Sequence, residues 1–318
     1  MRKWIVLLAL IVAGLNIGVA NANIISGKDD RVPRKAGDVP DTVEKAQGRI
    51  ICVNGKTNFA KYPPHNRHDL MHPHGSGWFR FEIATATLAF ADDTAVVSRH
   101  VFMSKERKTI TDPRSCWFES ATTGQIVPID GAEYPAFLKD SDAEPSEMES
   151  FKVASTVEQD FAVVHLHAKP KGMAGIEQKN ILTRYTMVLY KNDPLTIVAN
   201  YANNFGKGDA AHYTPTSTKC EVKALYRTFL KSFSGPSNVI STDCDIGHGT
   251  SGSSVWSVLH GDWYWIGVAS DEVGDKKAPP QWDETKNNTL ITSFDTSLRA
   301  AYDKLRLRFP DNTDAAAK

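Results

Sequence analysis

The stretch S-T-D-C-D-I-G-H-G-T-S-G-S-S-V-W-S-V-L-H-G-D-W-Y-W-I-G-V-A, residues 241–269, holds two kinds of sequence side by side. Its second half is β-branched and aromatic. Residues 253–259, the turn H-G-D and residues 263–269 read as a β-hairpin. Its first half is crowded with Gly247, Gly249, Thr250, Ser251, Gly252, Ser253 and Ser254. So many small residues directly before a strand leave the backbone open. That suits a loop that works with its N–H groups, and it suits an ordinary Gly/Ser turn.

The same β pattern continues outward. A-T-A-T-L-A-F (84–90), the turn A-D-D and T-A-V-V-S (94–98) predict a second hairpin. D-F-A-V-V-H-L-H-A (160–168), L-T-I-V-A-N-Y-A (195–202) and C-E-V-K-A-L-Y-R-T-F (220–229) predict further strands. The prolines of residues 63–75 predict a loop. Helical spacing is clear once, in residues 296–309, where Leu298, Ala301, Tyr302 and Leu305 share a face. Asp295 or Thr296 supplies the N-cap, and Pro310 follows the end. Many short strands and one terminal helix predict an all-β barrel or sandwich. The W-Y-W run (263–265) reads as core, and no internal repeat is visible.

Of the 318 residues, 41% are hydrophobic and 23% charged, which permits a large core in one large or two medium domains. Residues 1–22 have a basic start, an apolar centre and an A-x-A end at Ala20 and Ala22, the grammar of a cleaved signal peptide. Nothing later is long and apolar enough to cross a membrane, so no membrane association is expected after cleavage. Residues 23–48 are polar and read as a mobile leader or propeptide. Lys plus Arg and Asp plus Glu both number 37, so there is no basic footprint for nucleic acid. Cys52, Cys116, Cys220 and Cys244 make an even count in an exported chain, which predicts two disulfides with three possible pairings. His65, His68, His72 and His74 fall within ten residues, but on a Pro-rich loop without helical register they read as surface rather than metal ligands. N-N-T (287–289) has the pattern of a glycosylation acceptor.

Three local contexts carry chemistry. A serine hydroxyl is a weak nucleophile until a histidine takes its proton, a carboxylate orients that histidine and backbone donors receive the oxyanion. His100 follows the β-rich run T-A-V-V-S-R, Asp160 stands directly before an apolar strand, and Ser251 lies in G-T-S-G-S-S-V. Gly249, two residues earlier, can take backbone angles closed to other residues. Its N–H and that of Ser251 can face one oxygen.

These blocks, in the order His, Asp, Ser, resemble the chymotrypsin/trypsin superfamily of serine proteases, and most of all its bacterial trypsin-like and glutamyl-endopeptidase-like branch. The resemblance spans about residues 48–308. It implies two six-stranded antiparallel β-barrels with a C-terminal helix, the first barrel over 49–175 and the second with the helix over 176–318. It implies catalysis by His100, Asp160 and Ser251, with Gly249 and Ser251 as the oxyanion hole, and the disulfides Cys220–Cys244 and Cys52–Cys116. It implies protein or peptide substrates and no cofactor or metal. Asp245, six residues before Ser251, matches the offset of the aspartate that pairs with Lys or Arg in trypsin, His248 would rim the pocket, and Ser270 would border the substrate backbone. Ala269 stands where glutamate-specific relatives place a histidine.

The sequence also departs from that pattern. Thr250 replaces the aspartate that binds a freshly cut N-terminus in digestive enzymes, so the loop must be ordered by its own hydrogen bonds. Residues 48–55 only faintly echo an activation site. Ser254 replaces a proline, and Arg99 replaces a small residue beside His100. The expectation is a secreted or periplasmic serine endopeptidase with a lean to Lys or Arg. Its competitor is a non-catalytic binding or structural protein on the same fold, with its cleft filled by Arg99 or the leader.

Overall fold

The 253–269 stretch folds as its sequence predicts. Strands β11 (Ser254–Leu259) and β12 (Asp262–Gly274) pair antiparallel from Ser254↔Val268 to Leu259↔Asp262. His260 and Gly261 turn the chain with φ of 53° and 93°, the two positive angles of a hairpin turn whose twist matches its strands. The computed structural model describes residues 31–35, 37–55, 59, 63–71, 79–103, 109–135, 159–200, 215–230, 233–247, 249–274, 281–283 and 287–310. The signal-peptide reading, His72, His74 and His248 lie outside them.

Two barrels form. In the first, β2 (Gln47–Gly55), β3 (Phe79–Leu88), β4 (Thr94–Val97), β7 (Ala162–Leu166), β6 (Ile126–Glu133) and β5 (Cys116–Ser120) follow one another, and β5 closes back on β2. In the second, β8 (Pro194–Ala199), β9 (Thr216–Leu230), β10 (Phe233–Thr242), β13 (Asn287–Ser293), β12 and β11 do the same, and β11 closes on β8. All ladders between these strands are antiparallel. Both barrels use one strand order, 1-2-3-6-5-4, so the chain builds the same figure twice without a visible sequence repeat. Closure pairs each barrel strand on both sides, which removes the edges an open sheet would present.

Each barrel fills with apolar side chains from its inward positions. Ile50, Ala86, Leu88, Phe118 and Val164 share one face in the first, and Ile197, Val222, Ile240, Val255, Ile266 and Ile291 lie in the second. The outward face of β11 and β12 meets the first barrel's cluster through Trp256 and Trp265, stacked at 6.0 Å, with Phe294 edge-on to Trp265 at 5.0 Å. The W-Y-W run is therefore core at Trp265, which is fully buried. Cys52–Cys116 links β2 to β5, and Cys220–Cys244 links β9 to the residue that opens the 245–253 loop.

Helix α3 (Thr296–Arg308) is capped by Asp295, which accepts from Ser297 N–H at 2.8 Å. It buries Leu298, Ala301 and Leu305. Although it follows the second barrel, it packs on the first: Arg306 pairs with Asp93 at 3.1 Å, and Phe309 stacks on His165 at 4.6 Å.

Residues 31–35 and 37–46, expected from their polar composition to be mobile, are built into the fold. Strand β1 (Val32–Pro33) pairs with β9, and helix α1 (Asp41–Ala46) buries Val43 and Ala46 in the first barrel's cluster. The faint activation echo at 48–55 is most of β2. Residues 67–71, within the expected loop, form helix α2 (Arg67–Met71). Asn287 of the N-N-T pattern is 5% exposed inside β13 and donates to Gln281 C=O, so the folded chain offers no accessible acceptor there.

Helix α2 is tied down by charge. Glu119 on β5 is 2% exposed and accepts from Arg49 on β2 at 2.7 Å and from Arg67 at 2.8 Å. Arg49 is nearly buried, whereas Arg67 is 41% exposed. Breaking a buried pair costs about 3 kcal/mol where nothing replaces the lost partner, and an exposed pair contributes about 1 kcal/mol or less. Arg67 still holds Glu119 when Arg49 is gone, so Arg49→Met is expected to incur part of that cost and still to lower stability in urea unfolding, with disulfides intact, more than Arg67→Met.

Candidate active site

Strand pairing brings the first two candidate residues together. β4 and β7 are neighbours in register Val97↔Ala162, so the end of one lies beside the start of the other. His100 sits just past β4 in a 3-10 turn (Arg99–Val101), and Asp160 just before β7. Asp160 is 3% exposed, and both carboxylate oxygens are used. Oδ1 accepts from His100 N–H at 2.9 Å, and Oδ2 lies 2.6 Å from His100 Nδ1. A carboxylate only accepts, so Nδ1 carries the proton and Nε2 is left as the base. Oδ2 also accepts from Ser270 Oγ. The His100 side chain is 43% exposed, so neither Arg99 nor the described part of the 31–48 segment covers it. Arg99 itself is buried.

The charge state of His100 is set by several groups. Burial is the largest single influence and disfavours the imidazolium. The attraction and hydrogen bond of Asp160, with the charge of Asp271, together outweigh burial and the opposing Arg99, and the net pKa is raised above 6.5. Protonation of His100 thus stabilises the fold below about pH 6.5, and that contribution is lost as pH rises through the raised pKa.

The third residue arrives from the second barrel on the 245–253 loop. Thr250 is 2% exposed and folds the loop on itself: its N–H and Oγ1 donate to Gly247 C=O at 3.0 and 2.6 Å, and Gly247 N–H donates to Thr250 Oγ1 at 3.3 Å. The N–H groups of Thr250, Gly252 and Ser253 are spent on Gly247, Ala269 and Thr250 carbonyls. Those of Gly249 and Ser251 meet no acceptor among the described residues. Gly249 has φ +88° and Gly252 φ +80°. At Gly252 a Cβ would stand 2.3 Å from Thr85 C=O and 2.9 Å from Ser98 N, so only glycine passes.

This loop is docked against the first barrel beside His100. Thr85 N–H on β3 donates to Ser251 C=O at 3.0 Å. Ser98 Oγ, two residues before His100, donates to Ala269 C=O at 3.0 Å, the same oxygen that takes Gly252 N–H at 2.8 Å. Ser251 is half-buried. The sequence missed Thr85, which carries no signal in its local pattern, and missed Ser98, which stands in plain view in V-V-S-R-H. Ser270, expected at the substrate backbone, touches Asp160 with its hydroxyl. Asp245 is 1% exposed, and its carbonyl accepts from Thr218 Oγ1 at 3.4 Å. Ser254, the replacement for proline, accepts from Gln47 Nε2 at 3.0 Å and Trp256 Nε1 at 2.7 Å.

A solved glutamyl endopeptidase in complex with MPD superposes with TM-score 0.52 at 11% identity, over 89% of this chain and 99% of that one. The fold is trypsin-like. Two further bacterial proteases lie nearby. The HtrA-type protease AlgW with a decapeptide gives 0.46 at 14% identity, covering 82% of this chain and 65% of that one. The protease Anisep from Arthrobacter nicotinovorans gives 0.46 at 11%, over 83% and 97%. No protein-family sequence profile and no curated protein sequence matches the chain.

Asp271 raises the His100 pKa through space, so its removal is the clean test of this electrostatic picture. A reaction that needs neutral His100 falls off as pH drops through that pKa. Asp271→Asn is expected to move the acid limb of the pH profile for active-site serine labelling to lower pH, with the plateau retained.

Proposed function

We propose that the protein is an exported serine endopeptidase. One observation carries the reading: His100 is held twice by Asp160 beside a loop that leaves the N–H groups of Gly249 and Ser251 unspent among the described residues. Ser251 Oγ attacks the scissile carbonyl as His100 Nε2 takes its proton. Asp160 keeps Nδ1 protonated and the ring oriented, and supports the imidazolium that forms. The carbonyl oxygen, now an anion, receives the Gly249 and Ser251 N–H groups. His100 then gives its proton to the leaving amine, and water releases the acyl group by the same path reversed. Every step uses groups of this chain.

Cleavage after Lys or Arg is supported by the buried Asp245 at the start of the nucleophile loop and by Ala269, which supplies no cation for an acidic side chain. A buried carboxylate at a pocket base favours a cationic side chain over an apolar one. Two disulfides fit an oxidising compartment, secreted or periplasmic, and the signal-like residues 1–22 support export.

The mature chain, beginning at residue 23, is expected to react with a fluorophosphonate probe, and Ser251→Ala to lose all labelling. A peptide library is expected to be cut after Lys or Arg, and Asp245→Asn to reduce that preference at least tenfold. A folded wild-type chain that never labels would favour the non-catalytic reading.

A further inference from the structure

The polar groups buried between the barrels form a connected chain that begins far from the catalytic residues. It starts at Arg34, beyond the end of β1, whose side chain is 1% exposed. Glu44 on α1 holds its Nε at 3.1 Å. Its Nη2 donates to Asn200 Oδ1 at 2.7 Å. Asn200, at the end of β8 and 3% exposed, donates from Nδ2 to Gln47 Oε1 at 3.0 Å and from its backbone N–H to Thr85 Oγ1 at 3.2 Å. Thr85 is fully buried, and its Oγ1 donates to Gly249 C=O at 3.4 Å while its N–H donates to Ser251 C=O. Gln47 continues a second branch, from Nε2 to Ser254 Oγ at 3.0 Å.

The direction of this chain is not free. A side-chain amide can face either way, and its partners decide which. Arg34 has only donors, so it fixes Oδ1 of Asn200 toward itself and Nδ2 toward Gln47. Gln47 must then accept with Oε1 and donate with Nε2. One cation thus sets the sense of the amide branch as far as Ser254, in the strand behind the loop. The branch to Gly249 and Ser251 leaves Asn200 through its backbone N–H, whose sense is fixed, so there Arg34 acts by holding Asn200 in place. Burial alone disfavours the charge of Arg34, and Glu44 and Asp38 act against that. A guanidinium kept buried at such cost is an unneeded expense if it only pins down a terminal segment, since a leucine would do that.

We propose that Arg34 is a positioning residue for the nucleophile loop, acting through Asn200 and Thr85 on Gly249 and Ser251. The proposal rests on Ser251 as the nucleophile. It assigns residues 31–46 a supporting part in catalysis rather than an inhibitory one.

The test is saturation kinetics of fluorophosphonate labelling on the mature chain, comparing wild type, Arg34→Met, Arg34→Lys, Thr85→Val and the double variant Arg34→Met/Thr85→Val. Small misplacements at a reacting centre cost up to about a hundredfold. Arg34→Met is therefore expected to lower the limiting rate about ten- to a hundredfold. Half-saturation and the acid-limb midpoint stay unchanged, because His100 and Asp160 are untouched. Guanidinium ion at non-denaturing concentration is expected to restore part of the rate, and Arg34→Lys to retain part of it. Thr85→Val keeps the N–H to Ser251 but breaks the relay, and its loss is expected not to multiply with that of Arg34→Met, as for residues acting in one network. A merely structural anchor would lower the melting temperature and leave the limiting rate alone, which overturns the proposal; so do losses that multiply in the double variant. If Arg34→Met does not fold, a wild-type rate in Thr85→Val overturns it as well. A wild type that never labels through Ser251 overturns the nucleophile reading, and this proposal with it.

Discussion

The carbonyl oxygen of Ala269 accepts two hydrogen bonds, one from the hydroxyl of Ser98 and one from the N–H of Gly252. Ser98 leads into the turn that carries His100; Gly252 follows Ser251. The next residue, Ser270, reaches Asp160 with its hydroxyl. One dipeptide of β12 therefore touches the supports of all three groups. Hydrogen bonds in a dry interior are strong and directional, so the placement of the Ser251 loop beside His100 and Asp160 depends on this junction. The barrels supply rigidity, and the junction supplies their relative register.

Much of this was legible in the sequence, for physical reasons that differ by element. The 84–98 and 253–269 hairpins show because their turns need specific residues and their strands need β-branched or aromatic ones. Helix α3 shows because one face repeats at helical spacing. β13 was missed because it reads N-N-T-L-I-T-S, and its buried Asn287 and Thr289 side chains donate to carbonyls outside the strand, those of Gln281 and Cys244. β2 was missed because Arg49 interrupts its apolar run, and only the fold reveals Glu119 waiting for it. Residues 31–46 looked like a leader because polar composition was taken as exposure. Arg34 is polar and buried, which is the case composition cannot distinguish. His100, Asp160 and Ser251 were visible because each stands in a local context; Thr85 was not, because its role is defined wholly by what lies across the interface.

The site also sets opposed demands on one histidine. Folding favours the charged imidazole, since Asp160 and Asp271 raise its pKa. Proton abstraction, in the mechanism we propose, needs the neutral ring. On that reading the carboxylate that orients His100 also withholds it from work at low pH. Thr250 resolves a different conflict. Without an aspartate for a cut N-terminus, the loop closes on its own Gly247, so its order needs no cleavage event to create it.

The segments that flank the two barrels exchange places. The segment ahead of the first barrel adds a strand to the second, and the helix that follows the second lies on the first. Each barrel is strapped by the other's loose end, like a parcel tied with two crossing cords. A chain shortened from either terminus loses a cord before it loses a barrel strand. What trimming of residues 31–46 or 296–308 removes first is therefore a strap between the barrels, while the strands of both are still whole.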